Sequence, residues 1–502
     1  MDRRRFLTAA VACASASALA SNADQLLVAS RSPAMTEPTA PWQKAFVGVR
    51  ADFAPLPLQT EGRWPAELNG MLLRNGPARM ERAGERYQHW FDGDGMVQQF
   101  TFANGKVQHQ GKFIQTKKYL VEEMAGAFRY HTAGTLVKNP LPVRNNDDLN
   151  TANTALIPWQ GEVLALWEGG SAHRIDPQNL NTLGVKDFGE QYKQLPFSAH
   201  PLPDGQGGMW NFGTWYVSGQ PLLLLYHIGA KSEMQRMQQI KLPQASYLHA
   251  FSQTADKLVF LLGACVYEQG QTFIDAFKWR PELGSQLLII DKTDFTQQQW
   301  VELPAGFVFH CGQAWQQGGE LHVQACLYPD SGVMLEGMSQ LLQGGARKQT
   351  SVAELVTIRA TLGKKSASAN LDRSGLMMEF PQFVAGFQST GSAASSKPEV
   401  APLFGVSGSD RSEAGLSDSL VRIDAEGRQQ QYQFTAGIVA EEPLLVSGGK
   451  QILLSWLDYR HNQSGLSLFN SHDLNAGPVA QASMDRILPL GFHGCFLPLG
   501  SE

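Results

Sequence analysis

The chain is predicted to be an all-β protein, a seven-bladed β-propeller with loop and short-helix insertions capping one face. Three observations lead there. From Gly62 onward, short runs of apolar, aromatic and β-branched residues are separated by Gly, Asp, Asn and Pro, the signature of strands joined by tight turns. A strand ending in an Ile-Asp turn recurs at Arg174-Ile175-Asp176, Ile289-Ile290-Asp291 and Arg422-Ile423-Asp424, at unequal intervals, as in a diverged repeat. The 502 residues include 49 glycines and only 17% charged residues, which implies many turns around a well-buried interior.

The elements follow in chain order. Arg3-Arg4-Arg5-Phe6-Leu7 precedes an Ala-rich apolar run that ends in Ala18-Leu19-Ala20, a small-x-small cleavage site. Residues 1–20 therefore read as an export signal outside the fold. The paired arginines followed by x-Phe-Leu resemble the twin-arginine motif, which exports folded proteins to the periplasm; an ordinary secretory signal with a basic start is the alternative. Residues 21–45, rich in Ser, Ala, Thr and Pro, read as a linker, and 46–502 as a single propeller domain. Strand runs are expected at 71–73, 97–102, 162–167, 221–226, 257–262, 286–290, 320–327, 354–360 and 452–456. A blade is a four-stranded meander of about 40 to 50 residues, so the span from Gly62 accommodates seven blades with sizeable insertions. Helical patterns are few, the best at 120–128 and 334–342, and 363–374 and 389–400 read as exposed loops.

Charge and composition exclude several classes. Lys plus Arg is 41 and Asp plus Glu is 46, a net charge of −5, and a nucleic-acid binder would need a basic face to track phosphates. After residue 20 no stretch approaches the 18 or more consecutive apolar residues of a spanning helix, which speaks against an integral membrane protein. Beyond Cys13, the cysteines are Cys265, Cys311, Cys326 and Cys495, too few for a disulfide scaffold and spaced like no zinc motif. They permit one disulfide in an oxidising compartment without indicating a pair.

The twelve histidines divide by neighbourhood. His109, His173, His461 and His472 have polar neighbours and read as surface or turn positions. His200, His249, His310 and His493 sit in apolar or small-residue runs, where a buried imidazole must be hydrogen-bonded or bound to metal. Separations of 49, 61 and 183 residues suit neither a zinc finger nor a helical pair. In a propeller, however, the inner strand of every blade lines the axis, so residues remote in sequence converge there. Four neutral imidazoles would suit Fe(II), Zn(II) or Cu(II), and an octahedral ion on four ligands keeps two open positions. Export after folding would suit a chain that acquires such a metal in the cytoplasm. Ligand imidazoles usually donate their outer N–H to a carboxylate. Glu168, Glu379 and Glu442 have the apolar surroundings for that, with turn-edge surface positions the alternative.

Arg74-Asn75-Gly76-Pro77, His89-Trp90-Phe91-Asp92-Gly93-Asp94-Gly95-Met96, Ala152-Asn153-Thr154, Leu166-Trp167-Glu168-Gly169-Gly170, Ser198-Ala199-His200-Pro201 and Gly491-Phe492-His493-Gly494 occur in this order. With these motifs the chain resembles the carotenoid cleavage oxygenases, a group that includes lignostilbene dioxygenases and the retinoid isomerase of the eye, from Gly62 to about Gly500. The resemblance implies a seven-bladed propeller with one Fe(2+) per chain on His200, His249, His310 and His493. It also implies that Glu168, Glu379 and Glu442 hold His249, His310 and His493 respectively, and that His89 is structural. Two departures touch the near shell: the acidic residue usual after the second histidine is Ala250, and the Asn-Ala pair after the third is Gln313-Ala314.

The implied reaction is cleavage of a conjugated C=C bond by O2 to give two carbonyl products, the iron and apolar walls doing the work without a side-chain acid or base. Family members that cleave 4-hydroxystilbenes anchor the phenol with a Tyr and a Lys at the positions of Phe113 and Trp167. The substrate expected is thus an apolar conjugated alkene, a carotenoid or apocarotenoid; a stilbene-cleaving dioxygenase and a non-catalytic propeller binding an apolar ligand are the alternatives. A peripheral membrane contact is expected through 273–279.

Overall fold

In the computed structural model, which describes residues 32–33, 38–216, 219–345, 352–363, 369–384 and 400–499, the strand runs pair into seven antiparallel blades of four or five strands, beside two smaller sheets. Five are consecutive four-stranded meanders. The first blade runs from Ala155–Trp159 to Thr182–Val185, the second from Leu202–Pro203 to Met234–Lys241, and the third from Ser252–Gln253 to Gln298–Leu303. The fourth runs from Phe307–Gln317 to Ala369–Met377 and the fifth from Glu379–Gln382 to Gln429–Gln433. In the sixth, Ile438–Val446 leads a meander that ends at Pro478–Met484, against which Gln59–Gly62 adds a fifth strand. The seventh takes its innermost strand, Gly494–Pro498, from the C-terminus and the rest from the N-terminal part, Gly70–Arg79, Asp94–Ala103, Lys106–Phe113 and Phe53–Pro57. The two ends of the chain thereby close the ring and leave no open seam.

Strand position explains strand composition. Leu222–Ile228, Leu-Leu-Leu-Leu-Tyr-His-Ile, lies mid-blade, is covered on both faces by neighbouring blades, and is apolar nearly throughout. Its outer neighbour Met234–Lys241, Met-Gln-Arg-Met-Gln-Gln-Ile-Lys, lies at the rim and is polar. The core is correspondingly a set of clusters between blades, such as Val259, Leu287, Val301, Leu321, Val356 and Ile358 between the third and fourth. The Ile-Asp turns all close the third strand of a blade.

Several expectations are corrected. Residues 1–31 and 34–37 lie outside the described residues, but Pro41–Phe46, assigned to the linker up to residue 45, forms a 3-10 turn whose Trp42 and Phe46 are buried against Met80, Tyr87 and Leu341. Two large aromatics four residues apart outweigh the linker-like composition around them. Residues 369–374 belong to the outer strand Ala369–Met377, whose polar sequence reflects its rim position; 364–368 and 389–399 lie outside the described residues. His109 and His173 are buried, not surface: His109 packs on Phe100 with Nε2 2.8 Å from Gln98 Oε1, and burial lowers its pKa to about 3. Cys265, Cys311, Cys326 and Cys495 are free thiols. Within 273–279, Ile274, Ala276 and Phe277 are buried and Phe273 is 39% exposed, so the segment is largely core. The expected helices occur, as Lys117–Ala125, capped by Thr116 and closed by Gly126 at φ 61°, and as the turn Val333–Gly337 continuing into Met338–Leu342. Among the described residues no helix is long and apolar enough to cross a membrane.

Candidate metal centre

The four histidines of the apolar runs meet at one end of the propeller axis. His200 precedes the innermost strand of the second blade by two residues and His249 that of the third by three. His310 lies within the innermost strand of the fourth blade, and His493 directly precedes that of the seventh. First strands of neighbouring blades touch around the axis, which is why residues 49 to 183 positions apart come together. One ring nitrogen from each lies within 4.8 Å of the other three. His200 Nε2 is 2.9 Å from His249 Nε2, and His310 Nε2 is 3.1 Å from His493 Nε2. Two nitrogens at right angles on an ion with bonds of about 2.1 Å would be about 3.0 Å apart, so both pairs already have the spacing of adjacent ligands.

The outer nitrogens set the tautomers. His249 Nδ1–H donates to Glu168 Oε1, His310 Nδ1–H to Glu379 Oε2, and His493 Nδ1–H to Glu442 Oε1 at 2.9 Å. Each Nε2 lone pair is thereby left facing inward. His200 and His493 are held well below the ordinary imidazole range, first by burial and then by the neighbouring imidazoles, so both stay neutral donors. The donor set thus fits a divalent transition ion. Three carboxylates beside one guanidinium also leave an excess of negative charge that such an ion offsets in large part.

Two glutamates have supports that sequence reading did not single out. Glu442 is buried; Oε2 accepts from Arg74 Nη1 at 2.8 Å and Gly494 N–H at 2.9 Å, and Oε1 from Gln382 Nε2 at 3.1 Å. Burial raises its pKa against the pull of Arg74. Glu168 Oε2 accepts from the Tyr247 hydroxyl at 3.0 Å. Both helpers had a visible signal, Arg74 in its Arg-Asn-Gly-Pro motif and Tyr247 two residues before His249, on the same side of an extended chain.

The remaining motif residues build the roof. His89 is fully buried, donates from Nε2 to Met334 O at 2.8 Å and accepts Phe91 N–H, so it is structural. Asp92 takes Gly134 N–H and the Thr135 hydroxyl, and Asn153 donates to Phe91 O and Gly93 O. Gln313 turns to the fifth blade, pairing with both the C=O and the N–H of Ala401, two residues before that blade's second strand Leu403–Ser407. Phe113 is buried against Tyr119, outside the cavity lining, whereas Trp167 lines the cavity.

That cavity, about 1750 Å³, is lined by His249, His310 and His493. Phe309 flanks His249 with ring centroids 5.4 Å apart, and Phe380 lies 4.9 Å from His310 and 5.2 Å from His493. Phe380 holds φ at 55°, unusual for a bulky residue, and its N–H caps Glu379 Oε2 at 3.0 Å.

A family model described as RPE65, retinal pigment epithelial membrane protein, matches residues 47–498. The apocarotenoid-15,15'-oxygenase of Synechocystis is 28% identical over 86% of this chain and 91% of its own length. An isoeugenol monooxygenase of Pseudomonas nitroreducens is 24% identical over 88% and 94%, and carotenoid 9,10(9',10')-cleavage dioxygenase 1 of Arabidopsis thaliana 25% identical over 90% and 88%. A solved structure of a Synechocystis apocarotenoid oxygenase mutant superposes with a TM-score of 0.79 at 22% identity, covering 91% of this chain and 98% of that one, and so shares the fold.

Proposed function

Since the chain belongs to the retinal pigment epithelial membrane protein family, within the carotenoid oxygenase superfamily, we propose that it is a non-haem Fe(II) dioxygenase. Its reaction would cleave a conjugated C=C bond of an apocarotenoid or carotenoid with O2 to give two carbonyl products. The observation that carries this reading is the convergence of four imidazole nitrogens, three of them backed by carboxylates and lining a large apolar-walled cavity. When bound, Fe(II) would supply the centre at which O2 is activated. The protein's own part is positioning: the glutamates accept the outer N–H groups and so keep three imidazoles aimed inward, and Phe309, Phe380, Phe492 and Trp167 offer flat apolar faces that hold an alkene over the floor and exclude water.

For the substrate, the cavity of about 1750 Å³ exceeds the roughly 300 to 1,000 Å³ of most ligand sites and suits a long polyene. Trp167 beside Glu168 puts an indole at the position where phenol-cleaving relatives carry a lysine. A second reading, cleavage of a stilbene or phenylpropanoid, draws on the similarity to isoeugenol monooxygenases. Iron-loaded protein incubated under labelled O2 with carotenoids, apocarotenals, stilbenes and isoeugenol separates the readings by mass spectrometry. Labelled carbonyl products from apocarotenals support the first. Turnover confined to phenolic substrates would establish the second, and an iron-replete protein inert to the whole panel would point to a binding propeller.

An apolar substrate partitions into membranes, and Phe273, exposed where it lines the cavity, is the side chain through which we expect peripheral contact. The leader is read as twin-arginine. Arg3→Lys with Arg4→Lys should leave folded, iron-loaded protein in the cytoplasm; continued export of the double variant would favour the ordinary secretory route.

A further inference from the structure

The three carboxylates behind the imidazoles are held with very different security. Glu442 is fully buried between a guanidinium, a carboxamide and a backbone N–H. Glu379 is fixed by the N–H of the next residue. Glu168 follows Trp167, precedes two glycines, lines the cavity and keeps about a quarter of its side chain exposed. Its described partners are two: the outer N–H of His249 and the hydroxyl of Tyr247.

Tyr247 is itself immobile. Its N–H donates to Cys265 O at 2.8 Å, and its ring, 4% exposed, is wedged among Phe277, Phe307 and Phe309 with centroids 5.5 to 6.1 Å away. The ring lies nearly parallel to that of His249, at 17° and 6.3 Å. Its hydroxyl donates to Glu168 Oε2 at 3.0 Å and lies 3.4 Å from His249 Nδ1. A tightly packed donor therefore meets the most exposed of the three carboxylates.

We propose that Tyr247 is a positioning residue for the metal centre: its hydroxyl fixes Glu168, and Glu168 in turn fixes the angle at which His249 presents Nε2. The proposal rests on the metal reading above. With the hydroxyl gone, Glu168 retains a single hydrogen bond and swings toward the cavity, and His249 loses the partner that selects its tautomer and makes it a stronger donor.

Co(II) serves as the probe, because its visible absorption reports ligand geometry and its affinity is measured by competition with a chelator. Tyr247→Phe, which preserves the ring packing, should weaken Co(II) binding by about 3- to 10-fold, below the full effect of losing a carboxylate partner, and shift the visible band. In a Glu168→Ala background the same change should add less than about 2-fold, because the carboxylate through which the hydroxyl acts is gone. Tyr226→Phe is the matched control: that buried hydroxyl donates to Pro196 O and should leave affinity and spectrum unchanged. If Tyr247→Phe folds poorly, 3-fluorotyrosine at position 247, a more acidic donor with the hydroxyl retained, should still shift the band. Wild-type affinity and spectrum in the Tyr247→Phe variant, or an equal loss with and without Glu168, would overturn the proposal and leave Tyr247 a packing residue. Failure of the unmodified protein to bind Co(II) would instead remove the metal reading beneath it.

Discussion

Glu379 places a carboxylate oxygen against His310 Nδ1 and leaves its other oxygen, Oε1, buried without a described partner. Such a group is costly unless its charge is used. Glu379→Gln keeps the size but loses the charge that strengthens His310 as a donor. Metal affinity or turnover should fall about 10- to 100-fold, while the exposed control Glu426→Gln should change neither; equal behaviour of the two variants would remove Glu379 from the site. Replacing His200, His249, His310 or His493 by Ala should abolish metal binding, and the exposed His461→Ala should not, as measured by metal content of the purified variants. His89, buried and bonded at both ring nitrogens, is a poorer control, since its loss would disturb the roof. His109 gives a pH signature. Burial lowers its folded pKa to about 3 from the ordinary imidazole value of about 6.5, so between those values the unfolded chain binds a proton that the folded chain refuses, and stability falls with falling pH. From pH 7 to pH 5 this one residue should remove about 2 kcal/mol. Denaturant titrations of His109→Gln should show a correspondingly smaller loss over that interval, and parallel curves for the two proteins would contradict the burial argument.

At the scale of elements, Gln313 shows how a departure from the family pattern is absorbed. Its carboxamide pairs with both backbone groups of Ala401 and so joins the inner strand of the fourth blade to the segment that leads into the second strand of the fifth. Gln313→Ala strands a buried N–H and C=O and should cost about 1 to 3 kcal/mol, read by denaturant unfolding, with metal content unchanged. Loss of metal along with stability would mean that this junction also holds His310. Interior strands were legible because blades sandwich them, so that apolar content reports position directly. Rim strands such as Ala369–Met377 were not: solvated on the outside, they carry the Asp, Arg and Ser of a loop, and only pairing with Glu354–Thr361 distinguishes them. Pro41–Phe46 was missed for the opposite reason, because two aromatics in a Pro- and Ser-rich stretch declare their burial only through partners some 40 to 300 residues away.

Across the whole molecule, the four clustered histidines come from the second, third, fourth and seventh blades, so the candidate centre was readable as a set of apolar histidines but not as a point until the ring closed. The local neighbourhoods of His200, His249, His310 and His493 carried the signal, whereas Arg74 and Tyr247 gained their roles only from that closure. The same geometry makes a bound ion a brace across the propeller. Strand pairing closes the ring within the seventh blade, where Gly494–Pro498 meets Gly70–Arg79, and His493 stands at the head of that closing strand. An ion held there ties the closing strand to three other blades at once. Binding to the folded state alone stabilises by RT ln(1 + [L]/Kd), about 4 kcal/mol when the free ion is at 1,000 times Kd. Stripping the metal with a chelator should therefore lower the melting temperature by several degrees, and restoring it should recover the loss. His200→Ala should start at the lower temperature and respond to neither treatment, because its brace is already gone. Equal melting temperatures for metal-loaded and stripped wild-type protein would show that strand pairing alone closes the ring and that the four histidines brace nothing.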